Sequence, residues 1–237
     1  MKNLTPTRLG AYCAIGTLIS FVAGIVLMAT SGVQVLIPET GGHKTIDWMS
    51  DVNDASGAFF AGAWLLILGG FFALVAFVGF SYALRDAGPT MVLVPILTAV
   101  GFTLVTISHL IPISMGYELV PDYFNASGAA QSSLGTTAGT FASVAHATNY
   151  AGDALLWGVV TPLCAWAVLA TRIVPRWIGW VGFVAAFFAG WRGLVAPASS
   201  VIDGVTFIGF VAFFVFVAAL GVALLRRRAP EVPASAH

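Results

Sequence analysis

Apolar residues in this chain fall in long unbroken runs, not in alternating or one-sided patterns. A helix needs about 20 apolar residues to cross a bilayer core of about 30 Å, since each residue rises about 1.5 Å. Six stretches meet that length: Leu9 to Ser31, Ala58 to Leu84, Met91 to Tyr117, Val144 to Ala170, Trp177 to Ala196 and Gly204 to Leu225. Lipid offers no partner to an unpaired backbone N–H or C=O, and barrel strands would alternate in polarity, so each run predicts a helix. The pattern therefore predicts an all-α, polytopic membrane helix bundle of about six transmembrane helices. It forms a single bundle over residues 1–228, with a disordered cytoplasmic tail at 229–237. The first run, of about 23 residues, exceeds the usual 7–15-residue core of a signal peptide and reads as an uncleaved helix.

Composition strengthens this picture. Of 237 residues, 59% are hydrophobic and 8% charged, against roughly 25% charged in soluble domains. Lys and Arg together number ten, as do Asp and Glu, so no basic surplus exists to neutralise a phosphate backbone and nucleic acid is excluded as a partner. The bilayer is the expected partner instead. Cations are biased toward cytoplasmic segments of membrane proteins. Lys2, Arg8, Arg85, Arg172, Arg176, Arg226, Arg227 and Arg228 fall on one side of a six-span arrangement, with Lys44 and Arg192 on the other. Both termini are thus expected in the cytoplasm and the protein in the cell membrane. Most acids (Glu39, Asp47, Asp51, Asp54, Glu118, Asp122, Asp153 and Asp203) lie toward the opposite face, Asp86 and Glu231 being the exceptions.

The cytoplasmic connections are short, Arg85 to Pro89 and Thr171 to Arg176, each with Pro near the start of the next helix. The other loops are longer, and the Ser-, Gly-, Ala- and Thr-rich segment after Glu118 predicts a flexible stretch up to Thr140. Recurrent Gly, such as Gly69, Gly70, Gly179 and Gly182, predicts close helix contacts. Trp48, Trp177, Trp180 and Trp191 lie near span ends, where amphipathic rings favour the headgroup region. Cys13 and Cys164 read as packing residues. The stretch Thr171-Arg-Ile-Val-Pro-Arg-Trp-Ile-Gly-Trp-Val-Gly-Phe-Val resembles the corresponding hairpin of a family of small bacterial six-helix membrane proteins catalogued only as a domain of unknown function. The resemblance implies a bacterial cell membrane and supplies no mechanism.

Ionisable groups inside a membrane are costly, so each is a candidate for function. In the fourth span His146, Asn149, Tyr150, Asp153 and Trp157 are spaced i, i+3, i+4, i+7 and i+11, which keeps them on one helix face. The third span adds His109, with Thr98 and Thr106 near the same stripe and Pro112 just beyond. Both histidines lie in the outer third of the membrane. Arg192, near the outer end of the fifth span, needs a carboxylate; Asp153 is the expected partner, with Asp203 and Asp54 as competitors. His109, His146 and Asp153 supply ligand types for a divalent metal, and His109 with His146 for a haem, although no HExxH or Cys pair accompanies them. Over Thr45 to Ser56 a helix would place Asp47, Asp51 and Asp54 on one face and turn Met49 and Val52 to lipid; the acidic spacing fails the EF-hand pattern.

Four readings follow. The bland one is an Arg–Asp pair stapling helices together. The leading functional one is a binding or sensing protein, with His109, His146, Asn149, Tyr150, Asp153 and Arg192 around an outward-facing pocket for a small or lipidic ligand. The alternative is a membrane enzyme acting on a lipophilic substrate near the outer leaflet, metal-assisted or using Asp54, Asp153 or Asp203 as a carboxylic acid kept protonated by burial. A transporter comes third, on Pro95, Pro112 and Pro162 breaking helices around a midplane site. No P-loop, dinucleotide fingerprint or Ser-His-Asp set is present.

Overall fold

At Thr5 the chain is extended, and its Oγ1 accepts a hydrogen bond from the Arg8 amide at 3.3 Å. Pro6 occupies the first helical turn, where a missing N–H costs nothing. Helix α1 follows as Pro6–Ser31 and stops at Gly32, whose φ of 86° is open to glycine without a steric penalty. The computed structural model describes residues 5–33, 35–190 and 200–227, with the side chains of 56 and 200–205 left out. The predicted tail at 229–237 and the outer end of the fifth predicted span lie outside the described residues.

Beyond α1 come α2 (Gly42–Asp54), α3 (Ser56–Ala83), α4 (Leu93–Ser114), α5 (Val120–Asn125), α6 (Gly128–Leu155), α7 (Thr161–Thr171), α8 (Arg176–Ala189) and α9 (Ser200–Arg226). No strand occurs among the described residues. Among the described residues five helical runs are long and apolar enough to cross a membrane: Pro6–Ser31, Gly57–Ala83, Pro89–Asn125, Gly128–Thr171 and Thr206–Arg226. The sixth apolar helix is the shorter α8.

Each span packs on its neighbour in sequence, and the last returns to the first. Thus α1 lies along α3, α3 touches α4, α4 pairs with α6, α7 with α8, α8 with α9 and α9 with α1. Glycine sets the closeness of two of these pairs. A side chain at Gly10 would bring its Cβ to 2.6 Å from Gly79 Cα, and one at Gly152 to 2.8 Å from the Gly101 carbonyl oxygen. Inside the ring sits one apolar core that includes Phe77, Phe80, Phe102, Trp157, Phe213 and Phe216. The Trp157 and Phe213 rings stack there with centroids 5.4 Å apart, and Phe77 also stacks on Phe213 at 6.1 Å. Cys164 is buried in this core and Cys13 packs against it; both are free thiols.

Prolines inside the spans do not break them. The transporter reading expected discontinuous helices, yet α4 continues through Pro112 and the run 128–171 continues through Pro162. Two π turns take up the distortion instead, Met115–Leu119 before Pro121 and Leu156–Val160 before Pro162. In each, the residue just before the proline donates its amide five positions back, Val120 to Met115 and Thr161 to Leu156. The wider turn moves a carbonyl away from a pyrrolidine ring that can neither accept its approach nor donate to it. Thr161 Oγ1 adds a second bond to the Leu156 carbonyl at 2.8 Å.

The predicted flexible segment after Glu118 is helical instead. Several of its hydroxyls close locally, Thr136 on the Ser132 carbonyl at 3.1 Å, Thr140 on Thr136 at 3.1 Å and Ser143 on Gly139 at 2.9 Å, so much of the polarity of this Ser- and Thr-rich helix is met by its own backbone. The run Gly128–Thr171 has 44 residues, about 66 Å of rise, more than twice the hydrocarbon thickness of about 30 Å. Its first half therefore projects beyond the lipid. There it forms a cap with α2, α5 and the segment after α1, around a second apolar core. The expected α2 is present with Asp47, Asp51 and Asp54 exposed. Met49 and Val52, expected to face lipid, are buried in the cap core with Met115, Val120 and Ala138. Trp48, read as a belt residue, is also buried, its Nε1 donating to the Val35 carbonyl at 3.0 Å. Trp177 and Trp180 stay exposed at the other edge of the bundle, as expected.

Candidate functional site

The polar residues of α6 meet α4 just below the cap. Gly101 and Gly152 bring the two backbones together, and the next polar positions toward the cap then face each other. Ser108 on α4 shares its single hydroxyl hydrogen between the Val105 carbonyl at 2.7 Å and Asn149 Oδ1 at 3.1 Å. Asn149 Nδ2 in turn donates to Asp153 Oδ2 at 2.8 Å, one helical turn further on. The result is a chain Ser108, Asn149, Asp153 across the helix pair that includes a carboxylate only 6% exposed.

Two other predicted residues extend this chain toward the cap. His146 is partly buried, and its Nε2 lies 3.0 Å from the carbonyl oxygen of Pro38, in the segment between α1 and α2. Its ring stacks on Tyr150 with centroids 5.7 Å apart at 29°. Pro38 is itself buried, held nearby by Trp48 on Val35 and by Thr45 Oγ1 donating to the Glu39 carbonyl at 3.0 Å. Lys44, one of the two cations expected on this side, pairs with Glu39.

Depth follows from the helix count. Back from Thr171, at about 1.5 Å per residue, Asp153 stands about 27 Å from the arginine-bearing edge, near the far boundary of a core about 30 Å thick. His146, seven residues further, is about 10 Å beyond it.

Not every expected member joins. His109 is partly buried on α4 beside Ser108, but no hydrogen bond links it to His146, Asn149 or Asp153. The buried residues of α4 include Thr98, Gly101, Phe102, Ser108 and Pro112; His109 lies on the side of Thr98 and Phe102, eleven and seven positions on, while Ser108, which bonds α6, is about 100° round the helix from it. Among the described residues no three or more His, Cys, Asp and Glu converge to hold a metal ion. The trio His109, His146 and Asp153 fails for a plain reason: His146 and Asp153 are about 10 Å apart along one helix, too far to share an ion at about 2 Å. A haem held by His146 through Nε2 would have to take that atom from Pro38. Trp157, on the same predicted face, enters the aromatic core. Asp54 is exposed at the end of α2 and lacks the burial that an acid role asks of it. Arg192 and the side chain of Asp203 lie outside the described residues.

Ser108 and Pro38 were missed by sequence reasoning. Ser108 had a signal, since Gly101 and Ser108 are seven apart and so mark a stripe of small residues on one helix face. Pro38 had none.

An apolar helical ring with buried polar groups between two of its helices defines an integral membrane protein. Compared with known families, curated proteins and solved structures, the chain matches no family model, no curated protein and no solved structure.

Proposed function

We propose that this is a multi-pass protein of the bacterial cytoplasmic membrane, with both termini in the cytoplasm. In this reading it binds or senses a small or lipidic ligand at its extracytoplasmic side. Asn149, Tyr150, Asp153 and His146 from α6 and Ser108 from α4 form the polar wall of the site. His109 stands beside Ser108, and Arg192 supplies the counter-charge. The observation that carries the reading is the carboxylate of Asp153, 6% exposed and ordered by Asn149. A group so costly to hold between membrane helices is kept where it serves a ligand or an ion path.

The eight cations on the opposite edge support the orientation, and the resemblance of the Thr171 to Val184 hairpin supports the bacterial assignment.

Native mass spectrometry of the full chain extracted from its own membrane tests this. The wild type is expected to carry a bound mass that Asp153→Asn and His146→Ala each reduce about tenfold, while Arg172→Gln leaves it unchanged. Equal occupancy in all four proteins contradicts the reading.

A further inference from the structure

A second site lies at the other end of the bundle. Between α1, the α7–α8 turn and α9 runs an open groove of ≈ 960 Å³. Its floor is one stripe of α9, from Val211 through Phe214, Ala218, Ala219 and Val222 to Arg226. These positions recur at i+3, i+4, i+7 and i+8, so they form a single helix face. From Val211 to Arg226 the stripe rises about 22 Å, more than the roughly 15 Å that half of the hydrocarbon core offers. The alanines keep its floor low, while Leu18 of α1 forms one wall and Trp177 and Ile178 of α8 the other.

The chemistry changes only at one end, where Arg226 and Arg227 line the groove and both are exposed. Neither makes an ion pair with a described residue. Among the described residues the acid that shares this edge is Asp86, which pairs with Arg85 at 3.8 Å. An apolar channel at least one leaflet long that ends on two exposed guanidinium groups, neither paired with a described acid, matches one amphiphile in particular, a chain-bearing molecule with a negative head. We propose that this groove holds an anionic phospholipid of the adjoining leaflet. One acyl chain lies along α9, and the phosphate is taken by Arg226 and Arg227, whose forked N–H groups suit it. The fit is the same whichever side of the membrane that edge faces, so it stands apart from the ligand site beneath the cap.

The test is native mass spectrometry of the full chain in detergent, titrated in parallel with phosphatidylglycerol and phosphatidylcholine of the same acyl length. The wild type is expected to retain the anionic lipid at least fivefold over the zwitterionic one. Arg226→Gln and Arg227→Gln should each lower that preference about fivefold. Ala219→Phe, which fills the floor, should lower retention of both lipids, and Arg172→Gln, on the same edge outside the groove, should change neither. Equal retention of the two lipids by the wild type overturns the proposal, as does a preference that survives both arginine substitutions. A loss in Arg172→Gln as large as in Arg226→Gln also overturns it, since that would report the charge of the whole edge.

Discussion

His146 Nε2 lies 3.0 Å from the carbonyl oxygen of Pro38, 108 residues earlier in the chain, so the segment between α1 and α2 is fastened to the far end of α6. A net hydrogen bond of this kind contributes about 1 kcal/mol, which sets the expected effect of removing it. In His146→Ala, amide exchange between residues 35 and 41 should quicken about fivefold, while α3 stays unchanged. Hydrogen exchange read by mass spectrometry checks this; unchanged protection in the segment would show that other contacts hold it.

Gly152 and Gly139 lie on the same helix but face different surroundings. A Cβ at Gly152 would meet Val105 Cγ2 at 2.7 Å and the Gly101 carbonyl at 2.8 Å, while nothing lies within 4 Å of one at Gly139. Gly152→Ala should therefore push α4 and α6 apart at a cost of about 1–3 kcal/mol, with Asn149 losing Ser108 as a partner. Gly139→Ala should be neutral or stabilising by up to about 1 kcal/mol, the ordinary helix preference. Thermal unfolding in detergent checks the order: wild type and Gly139→Ala above Gly152→Ala.

The cap rests on an apolar core distinct from that of the ring, into which Met28, Phe59, Ala63 and Ile113 of the spans also reach, so it should fail before the ring does. Met49 and Val52 are 0% and 1% exposed. Placing a carboxylate there with Val52→Asp leaves a charge without a partner, a cost of several kcal/mol. Limited proteolysis should then cut α2 and the first turns of α6 at least tenfold faster, with the membrane ring intact. Asp51→Asn, on the exposed face of α2, should cut at the wild-type rate.

How much of this was legible in the sequence depended on how strong each physical constraint was. The spans could be read because lipid forces a long apolar helix, and Leu9 to Ser31 could be little else. Hydropathy alone does not say whether an apolar residue faces lipid or protein, which is why Met49, Val52 and Trp48 were placed on the wrong surface. The start of α6 was hidden for another reason. Ser132, Ser133, Thr136 and Thr137 carry no apolar stripe, and their helix is held by local hydroxyl bonds and by the packing of Ala138 into the cap. Within the site, the i+3 and i+4 spacing gathered His146, Asn149, Tyr150 and Asp153 on α6. His109 shares the side of Thr98 that its spacing suggests, while the bond across to α6 comes from Ser108, about 100° round the helix, a polar position that the spacing of ionisable residues does not pick out.

The account depends on which side of the membrane the cap occupies, and thiol labelling in intact cells measures this directly. In a background of Cys13→Ala and Cys164→Ala, single cysteines would replace Ser50 on α2 and Thr90 at the turn before α4, both exposed and separated by the one crossing of α3. An impermeant maleimide should label Ser50→Cys in intact cells and Thr90→Cys only after the membrane is opened. Labelling in the reverse order, or at both positions in intact cells, would contradict an outward-facing cap over a polar site.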